Sequence, residues 1–291
     1  MGKNEERYVL VTGASSGIGR AAALRLAQEG FTVYGTSRRG SYETVEQDGA
    51  SFVLLPMTME DEATIRDAVR YILDRHGRID LLVNAAGSGI AGAIEETSAE
   101  EAIRQFDVCF FGIVRVLNHV LPAMREARSG RIINIGSVAA FFPLPFQSMY
   151  SAAKAAMYSM TCALRMELKP YDIDVCQIEP GDVKTGFTDK RVIAQKAKNT
   201  AYPVMFKRAY YEMVRSEMTG YAPERCAKTV LKAALMKKPP ARMCVDFSYG
   251  LLGVVAALLP WSICEKLIAS IYLKNDPPEG WQMEQTTLER K

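Results

Sequence analysis

The residues best suited to chemistry lie between Ser137 and Lys154, centred on Tyr150-Ser151-Ala152-Ala153-Lys154. On a helix, a spacing of four puts Tyr150 and Lys154 on one face, a turn apart. A phenol has an unperturbed pKa of about 10, so only about one in a thousand is ionised at neutral pH. A nearby ammonium favours the phenolate and lowers that pKa. A fall of roughly two to three units would let Tyr150 trade a proton with an alcohol or ketone near neutrality. Ser137 follows the apolar run Arg131-Ile132-Ile133-Asn134-Ile135-Gly136, which reads as a strand. The serine then stands at a carboxyl end, where open α/β sheets place ligands. The tyrosine–lysine pair alone carries little. Of 13 tyrosines only Tyr150 has a lysine four residues on, about what chance gives, and a solvated helix face is the plain alternative.

The elements that must position these groups begin at the N-terminus. Tyr8-Val9-Leu10-Val11-Thr12 is a β-rich run, Gly13-Ala14-Ser15-Ser16-Gly17-Ile18-Gly19 follows directly, and a helix begins near Arg20. Strand, glycine turn and helix form the setting of a dinucleotide site: glycines let the backbone approach a pyrophosphate, and the helix start supplies free N–H groups. The spacing is G-x-x-x-G-x-G rather than the commoner G-x-G-x-x-G. The next strand, Thr32–Thr36, ends in Ser37-Arg38-Arg39, and no acid appears before Glu43. Arginine there suits a 2′-phosphate, so NADP is the expected cofactor, with Arg38 favoured over Arg39; a solvated basic turn is the alternative. A third strand, Ser51–Leu55, leads through Pro56-Met57-Thr58-Met59 to a helix over Asp61–His76. A fourth, Ile79–Val83, ends in Asn84-Ala85-Ala86-Gly87. Strands alternating with helices at this spacing predict an α/β fold, a doubly wound parallel sheet.

Composition excludes other classes. The 291 residues are 48% hydrophobic and 24% charged, with a net charge of +3 and no basic cluster. That is an ordinary globular balance without a nucleic-acid footprint. The 6 cysteines show no close pairing, which suggests buried reduced thiols and a cytoplasmic protein. His76 and His119 stand far apart, so no metal site is expected. The charged start, Met1–Arg7, is not a signal peptide.

Taken together, Thr12-Gly13-x-x-x-Gly17-x-Gly19, Asn84-Ala85-Ala86-Gly87, Ser137, Tyr150-x-x-x-Lys154 and Pro180-Gly181 resemble the short-chain dehydrogenase/reductase family in order and spacing, over roughly residues 7 to 185. The resemblance implies a Rossmann fold and hydride transfer at C4 of a nicotinamide. Tyr150 is then the acid in reduction and the base in oxidation. Ser137 hydrogen-bonds the substrate oxygen, and Lys154 lowers the Tyr150 pKa and holds the nicotinamide ribose. Cofactor contacts are implied from Gly13, Ser15, Ser16, Gly17, Ile18 and Gly19, from Ser37, Arg38 and Arg39, and from Thr58 and Met59 near the adenine. They are implied also from Asn84, Ala85 and Gly87, from Tyr150 and Lys154, and from Pro180, Gly181, Val183 and Thr185 at the carboxamide. Family members are often dimers or tetramers through the helix that carries the tyrosine.

Two positions depart from the family. Thr58 stands where an acid usually holds the adenine amine. In the helix expected over Ala99–Ala127, Cys109 takes the place of an Asn that positions a water relaying protons from the lysine. A thiol is a poor substitute.

Beyond Ser137 lies Val138-Ala139-Ala140-Phe141-Phe142-Pro143-Leu144-Pro145-Phe146. A lid over about 184–220 carries Phe187, Tyr202, Met205, Phe206, Tyr210, Tyr211 and Met213. Such residues wall an apolar pocket or pack the lid itself. An apolar extension over about 241–274 resembles that of the hydroxysteroid and retinol branch. The expected substrate is therefore lipophilic, a hydroxysteroid first, with retinal or general carbonyl reduction and a non-catalytic NADP sensor as alternatives. Phe247–Cys264 carries no charge for eighteen residues but is interrupted by Pro260. It reads as a pocket or interface helix, or as a peripheral membrane contact, rather than a span. One domain over 1–274 and a polar tail over 275–291 are expected.

Overall fold

The alternation of apolar runs and amphipathic stretches closes into one twisted sheet with helices on both faces. The computed structural model describes residues 6–283. The first half runs β1 (Tyr8–Thr12), α1 (Gly17–Gln28), β2 (Thr32–Ser37), β3 (Glu43–Gln47), β4 (Ala50–Pro56), α2 (Glu62–His76), β5 (Leu81–Asn84), β6 (Ile90–Ala91), α3 (Ala99–Phe106), α4 (Gly112–Ala127) and β7 (Gly130–Ile135). The second half runs α5 (Ser148–Leu168), β8 (Ile173–Glu179), α6 (Phe187–Lys190), β9 (Val192–Ile193), α7 (Pro203–Thr219), α8 (Pro223–Leu235), β10 (Arg242–Cys244), α9 (Phe247–Leu258) and α10 (Trp261–Tyr272).

The main sheet has 8 strands in the order β10-β8-β7-β5-β1-β2-β4-β3. Seven are parallel, as expected. The eighth, β3, pairs antiparallel with β4 at the edge and was not foreseen. Its sequence, Glu-Thr-Val-Glu-Gln, is polar and exposed on both faces, so it lacks the two-residue alternation that marks a half-buried strand. Strand order reverses between β1 and β5. A crevice therefore opens at their carboxyl ends, where such sheets bind ligands.

Local chemistry explains the helices that frame this crevice. Asp61 caps α2 by accepting from the Ala63 N–H at 2.9 Å, and Gly77 ends it in the left-handed region at φ 69°. Between the caps, Ile65, Ala68, Val69 and Ile72 bury one stripe against the sheet. Each isoleucine so buried contributes about 1.5–3 kcal/mol. The helix expected over Ala99–Ala127 is not uniform: Asp107–Phe111 widens into a π-helical turn between α3 and α4. The ion pair of Arg115 with Asp107 at 2.6 Å braces this turn, and Gly112 lets it press against Met59, where a Cβ would lie 2.7 Å from the Met59 Cβ. Such turns recur at functional sites, and this one carries Cys109. By length and composition 99–127 is the one candidate membrane span among the described residues; here it packs against α2 and α5. Pro260 divides the C-terminal extension into α9 and α10, as its sequence required.

Candidate active site

The strand ends of β1, β5, β7 and β8 converge on the crevice. Thr12, at the end of β1, accepts from the N–H groups of Ala85 and Ala86, both at 3.0 Å, and so ties the end of β5 to the glycine turn. Gly13 turns at φ 69°, and a Cβ there would lie 2.7 Å from the Ala86 Cα. Ser16 is the N-cap of α1 and makes no side-chain cap bond; its Oγ instead accepts from Lys190 of the lid at 3.0 Å. Thr185 lies 3.4 Å from where a Gly17 Cβ would sit, bringing the lid's entrance onto the turn. Asn84 is 1% exposed, and its Oδ1 has no partner among the described residues.

The turn whose glycines leave room only for backbone, the uncapped helix start and the unpartnered Asn84 oxygen fit a dinucleotide. Ser15 and Gly87 are exposed beside it, and Ile18 and Ala85 are half-buried. Arg38 and Arg39 stand exposed at the end of β2, with the Arg39 N–H bonded to Ser37 Oγ at 3.2 Å. Thr58 is half-buried, its N–H bonded to Thr64 Oγ1 at 2.9 Å. Met59 is turned into the core and its carbonyl accepts from Arg115 at 3.0 Å, so neither its side chain nor its carbonyl is offered to an adenine. On the far side, Gly181 donates to the Tyr221 hydroxyl at 2.9 Å. Val183 is buried and bridges to Tyr221, and the Pro180 carbonyl accepts from Val138 at 3.0 Å.

Ser137, Tyr150 and Lys154 come together as expected. Tyr150 lies in the first turn of α5, and the Lys154 Nζ is 5.8 Å from its ring centre. The electrostatics differ from the expectation. The Tyr150 pKa is raised, by burial first, with Ser137 hydrogen bonding and Arg191 pulling it back. The Lys154 ammonium donates to the Ile135 carbonyl at 2.8 Å rather than to the phenol oxygen. The spacing of four set the face but not the direction of the lysine side chain. Burial also lowers the Lys154 pKa, opposed by Cys109 and Glu179. In the protein alone, therefore, Tyr150 is a protonated acid.

Cys109 is sealed in a small polar nest. Its thiol lies 3.4 Å from the Ser88 carbonyl and accepts from the Gln105 Nε2 at 3.1 Å. Gln105 also reaches the Ser88 carbonyl at 2.9 Å.

Of the expected lid residues only Phe187 faces the tyrosine, with ring centres 5.7 Å apart. Phe206, Tyr210 and Met213 are buried, and the first two form the lid's own core with Ile90 and Ala91. Tyr202 and Met205 are exposed. The loop after Ser137 meets α9, where a Gly253 Cβ would lie 2.9 Å from the Phe141 ring. The Tyr249 ring packs close against Gly181, and its hydroxyl donates to Asp182 at 2.8 Å.

The residue that sequence reasoning passed over is Glu179, the last of β8. It is 0% exposed, and it accepts from the Ser137 N–H at 2.7 Å and from Gln177 at 2.9 Å. Burial raises its pKa from 4.5 to about 7. The folded chain thus retains a proton that the unfolded chain releases, so the contribution of Glu179 to stability is fullest below pH 4.5 and is lost as pH rises through about 7. Removing that carboxyl in Glu179→Gln is expected to flatten the fall in melting temperature between pH 5 and 8. An unchanged slope in calorimetry would show that the proton is held elsewhere.

With the geometry in place, comparison with known proteins is direct. The short chain dehydrogenase family model matches residues 7–196. The chain is 38% identical to a 3-ketodihydrosphingosine reductase of Bacteroides thetaiotaomicron, covering 82% of this chain and 87% of that one. It is 29% identical to retinol dehydrogenase 8 of Bos taurus, covering 87% and 86%. A short-chain dehydrogenase from Streptomyces avermitilis shares the structure at TM-score 0.73 and 30% identity, covering 92% of this chain and 98% of its own. The chain belongs to the short-chain dehydrogenase/reductase family and is an oxidoreductase of CH–OH and C=O groups built on a nicotinamide-binding fold.

Proposed function

We propose that the protein reduces a ketone carried on a long lipophilic body, using NADPH, with Tyr150 as proton donor, Ser137 as the hydrogen-bond donor to the substrate oxygen, and Lys154 at the cofactor ribose. The cofactor supplies the hydride; the chain's own part is to orient the carbonyl and hand over the phenol proton. The observation that carries this reading is the half-buried Tyr150 in hydrogen-bond reach of Ser137, with the apolar Phe187 ring 5.7 Å from its own. A steroid would satisfy the same apolar wall. The identity to a 3-ketodihydrosphingosine reductase favours a single long chain instead, and that ketone is the first substrate to test. NADPH oxidation would be followed with 3-ketodihydrosphingosine, a set of keto-steroids and retinal. Turnover of the sphingoid ketone above the others supports the reading. Turnover of a steroid or of retinal alone replaces the substrate. Silence with tight NADPH binding favours the sensor alternative, in which the sealed Cys109 marks a lost proton relay.

NADPH preference rests on Arg38 and Arg39, exposed at the end of β2. Arg38→Glu is expected to raise the KM for NADPH by about 10- to 100-fold, the worth of one or two charged hydrogen bonds, and to leave NADH unaffected. Equal losses for both cofactors would place the 2′-phosphate elsewhere.

A lipophilic substrate also gives meaning to the C-terminal helices. Phe247, Leu258, Trp261, Ile263, Leu267 and Ile271 are 43–84% exposed, and Ile263, Leu267 and Ile271 repeat every four residues along α10. Of charged residues α9 and α10 carry only Glu265 and Lys266, while residues 228–274, which include part of α8, hold seven basic and two acidic side chains. This face is read as a peripheral contact with anionic lipid. Leu267→Glu with Ile271→Glu should abolish co-flotation with vesicles containing an anionic lipid while leaving turnover of a detergent-dispersed substrate intact.

A further inference from the structure

Four buried polar residues stand side by side across the sheet. The registers pair Thr12 with Asn84, Asn84 with Asn134, and Asn134 with Gln177. Asn84 Nδ2 donates to Asn134 Oδ1 at 2.9 Å, and Asn134 Nδ2 donates to Thr161 of α5 at 2.9 Å. The Thr161 hydroxyl lies 2.9 Å from the Met157 carbonyl and 3.3 Å from Gln177 Oε1. Gln177 Nε2 donates to Glu179 Oε1 at 2.9 Å, and Glu179 Oε2 accepts from the Ser137 N–H at 2.7 Å. A row of buried polar contacts thus runs from the cofactor side of the crevice through Thr161, whose one hydroxyl proton is shared between Met157 and Gln177, to the backbone of Ser137.

The end of that row grips a three-residue segment. The Ile135 carbonyl accepts from Lys154, the Gly136 N–H donates to the Ile178 carbonyl at 2.7 Å, and the Ser137 N–H donates to Glu179. Gly136 permits this approach: a Cβ there would lie 2.5 Å from Gln177 Nε2 and 2.6 Å from Glu179 Oε2. Two buried titratable side chains, Lys154 and Glu179, therefore hold one strand end between them, and above about pH 7, where Glu179 is ionised, they are opposite charges. The groups that act on Glu179 from its neighbours are Lys154 of α5 and Arg242 of β10, both favouring its ionised form. Glu179 in turn acts on Tyr158 of α5 and Cys244 of β10.

We propose that Glu179 is a positioning residue for proton transfer: through the Ser137 backbone it aims the Ser137 hydroxyl, and in its ionised form it is the buried counter-charge of Lys154. The proposal rests on the reading that Tyr150, Ser137 and Lys154 run the reaction. A side chain that only satisfied the Ser137 N–H would matter for folding alone. One that also sets the Lys154 charge leaves a mark on pH dependence.

The test measures kcat against pH, and NADPH affinity against pH by fluorescence titration, in the wild type, Glu179→Gln, Glu179→Asp and Tyr150→Phe. Glu179→Gln is expected to lower kcat about tenfold or more through misplacement of the serine. It should leave the neutral-pH affinity for NADPH within about threefold, a small free-energy change. The alkaline loss of both kcat and affinity should move down by about one pH unit, because Lys154 has lost its counter-charge. Glu179→Asp keeps the charge and should return the alkaline limb to its wild-type position at a reduced rate. If Glu179→Gln does not fold, Glu179→Asp decides: a limb displaced as the rate falls overturns the proposal. So does a Glu179→Gln protein whose melting temperature changes while kcat and both pH limbs stay within twofold. Turnover persisting in Tyr150→Phe would sink the underlying reading; its loss, with Glu179→Gln unaffected, would sink this proposal alone.

Discussion

Tyr150→Phe is expected to lower kcat about a thousandfold, within the range that a positioned general acid contributes, and to leave NADPH affinity within about twofold. The ring is retained, so its contact with Phe187 at 5.7 Å survives and the fold should not notice the change. What disappears is the proton. Burial holds the phenol above its ordinary value of 10.0, so the acid form is available throughout the neutral range. Ketone reduction should therefore be nearly flat from pH 6 to 8. Alcohol oxidation needs the phenolate and should climb with pH across the same range. Steady-state rates in both directions check this. Turnover within tenfold of wild type in Tyr150→Phe would show that another group delivers the proton.

The second large effect lies at the glycine turn. A Cβ on Gly19 would sit 2.4 Å from the Gly13 carbonyl oxygen and 2.9 Å from its carbon. Both are backbone atoms of the same turn and cannot swing aside, and Gly13 is itself held against Ala86. Gly19→Ala should therefore open the turn. Overpacking of this kind costs about 1–3 kcal/mol, a fall in melting temperature of roughly 3–10 °C for a chain of this size. Affinity for NADPH should fall by about 100-fold, because N–H groups must point at the phosphates to within an ångström or so. Gly30→Ala is the control: at φ 84° with nothing within 4 Å, it carries backbone strain but lies away from the turn, and NADPH titration should see no change.

Much of this site could be read from the sequence because its parts are local. The glycine turn, Asn84-Ala85-Ala86-Gly87 and Tyr150-x-x-x-Lys154 each announce themselves within a few residues. The sheet followed from β runs such as Leu81–Asn84, buried along their whole length. What stayed hidden depends on contacts distant in sequence or on side-chain direction. Glu179 reads as a lone acid ending an apolar strand, and its partner Ser137 is 42 residues away. Lys154 turns to the Ile135 carbonyl rather than to the phenol, and burial then dominates Tyr150. The π-helical turn at Asp107–Phe111 has the composition of ordinary helix, and the close approach of Gly112 to Met59 beside it joins residues far apart in sequence. In the lid, apolar residues alone did not distinguish pocket wall from packing, and only Phe187 proved to face the tyrosine.

The two outer strands bear on how copies of the chain meet. A flat, apolar margin would invite runaway strand-to-strand polymerisation. Here one margin, β3, sets Glu43 and Glu46 exposed to solvent, and the other, β10, is three residues long. Both margins are poor templates for a further strand. Self-association, where it occurs, is left to helical faces, and a crowded solution of this protein should resist fibril formation even though its interior is rich in valine, leucine and isoleucine strands.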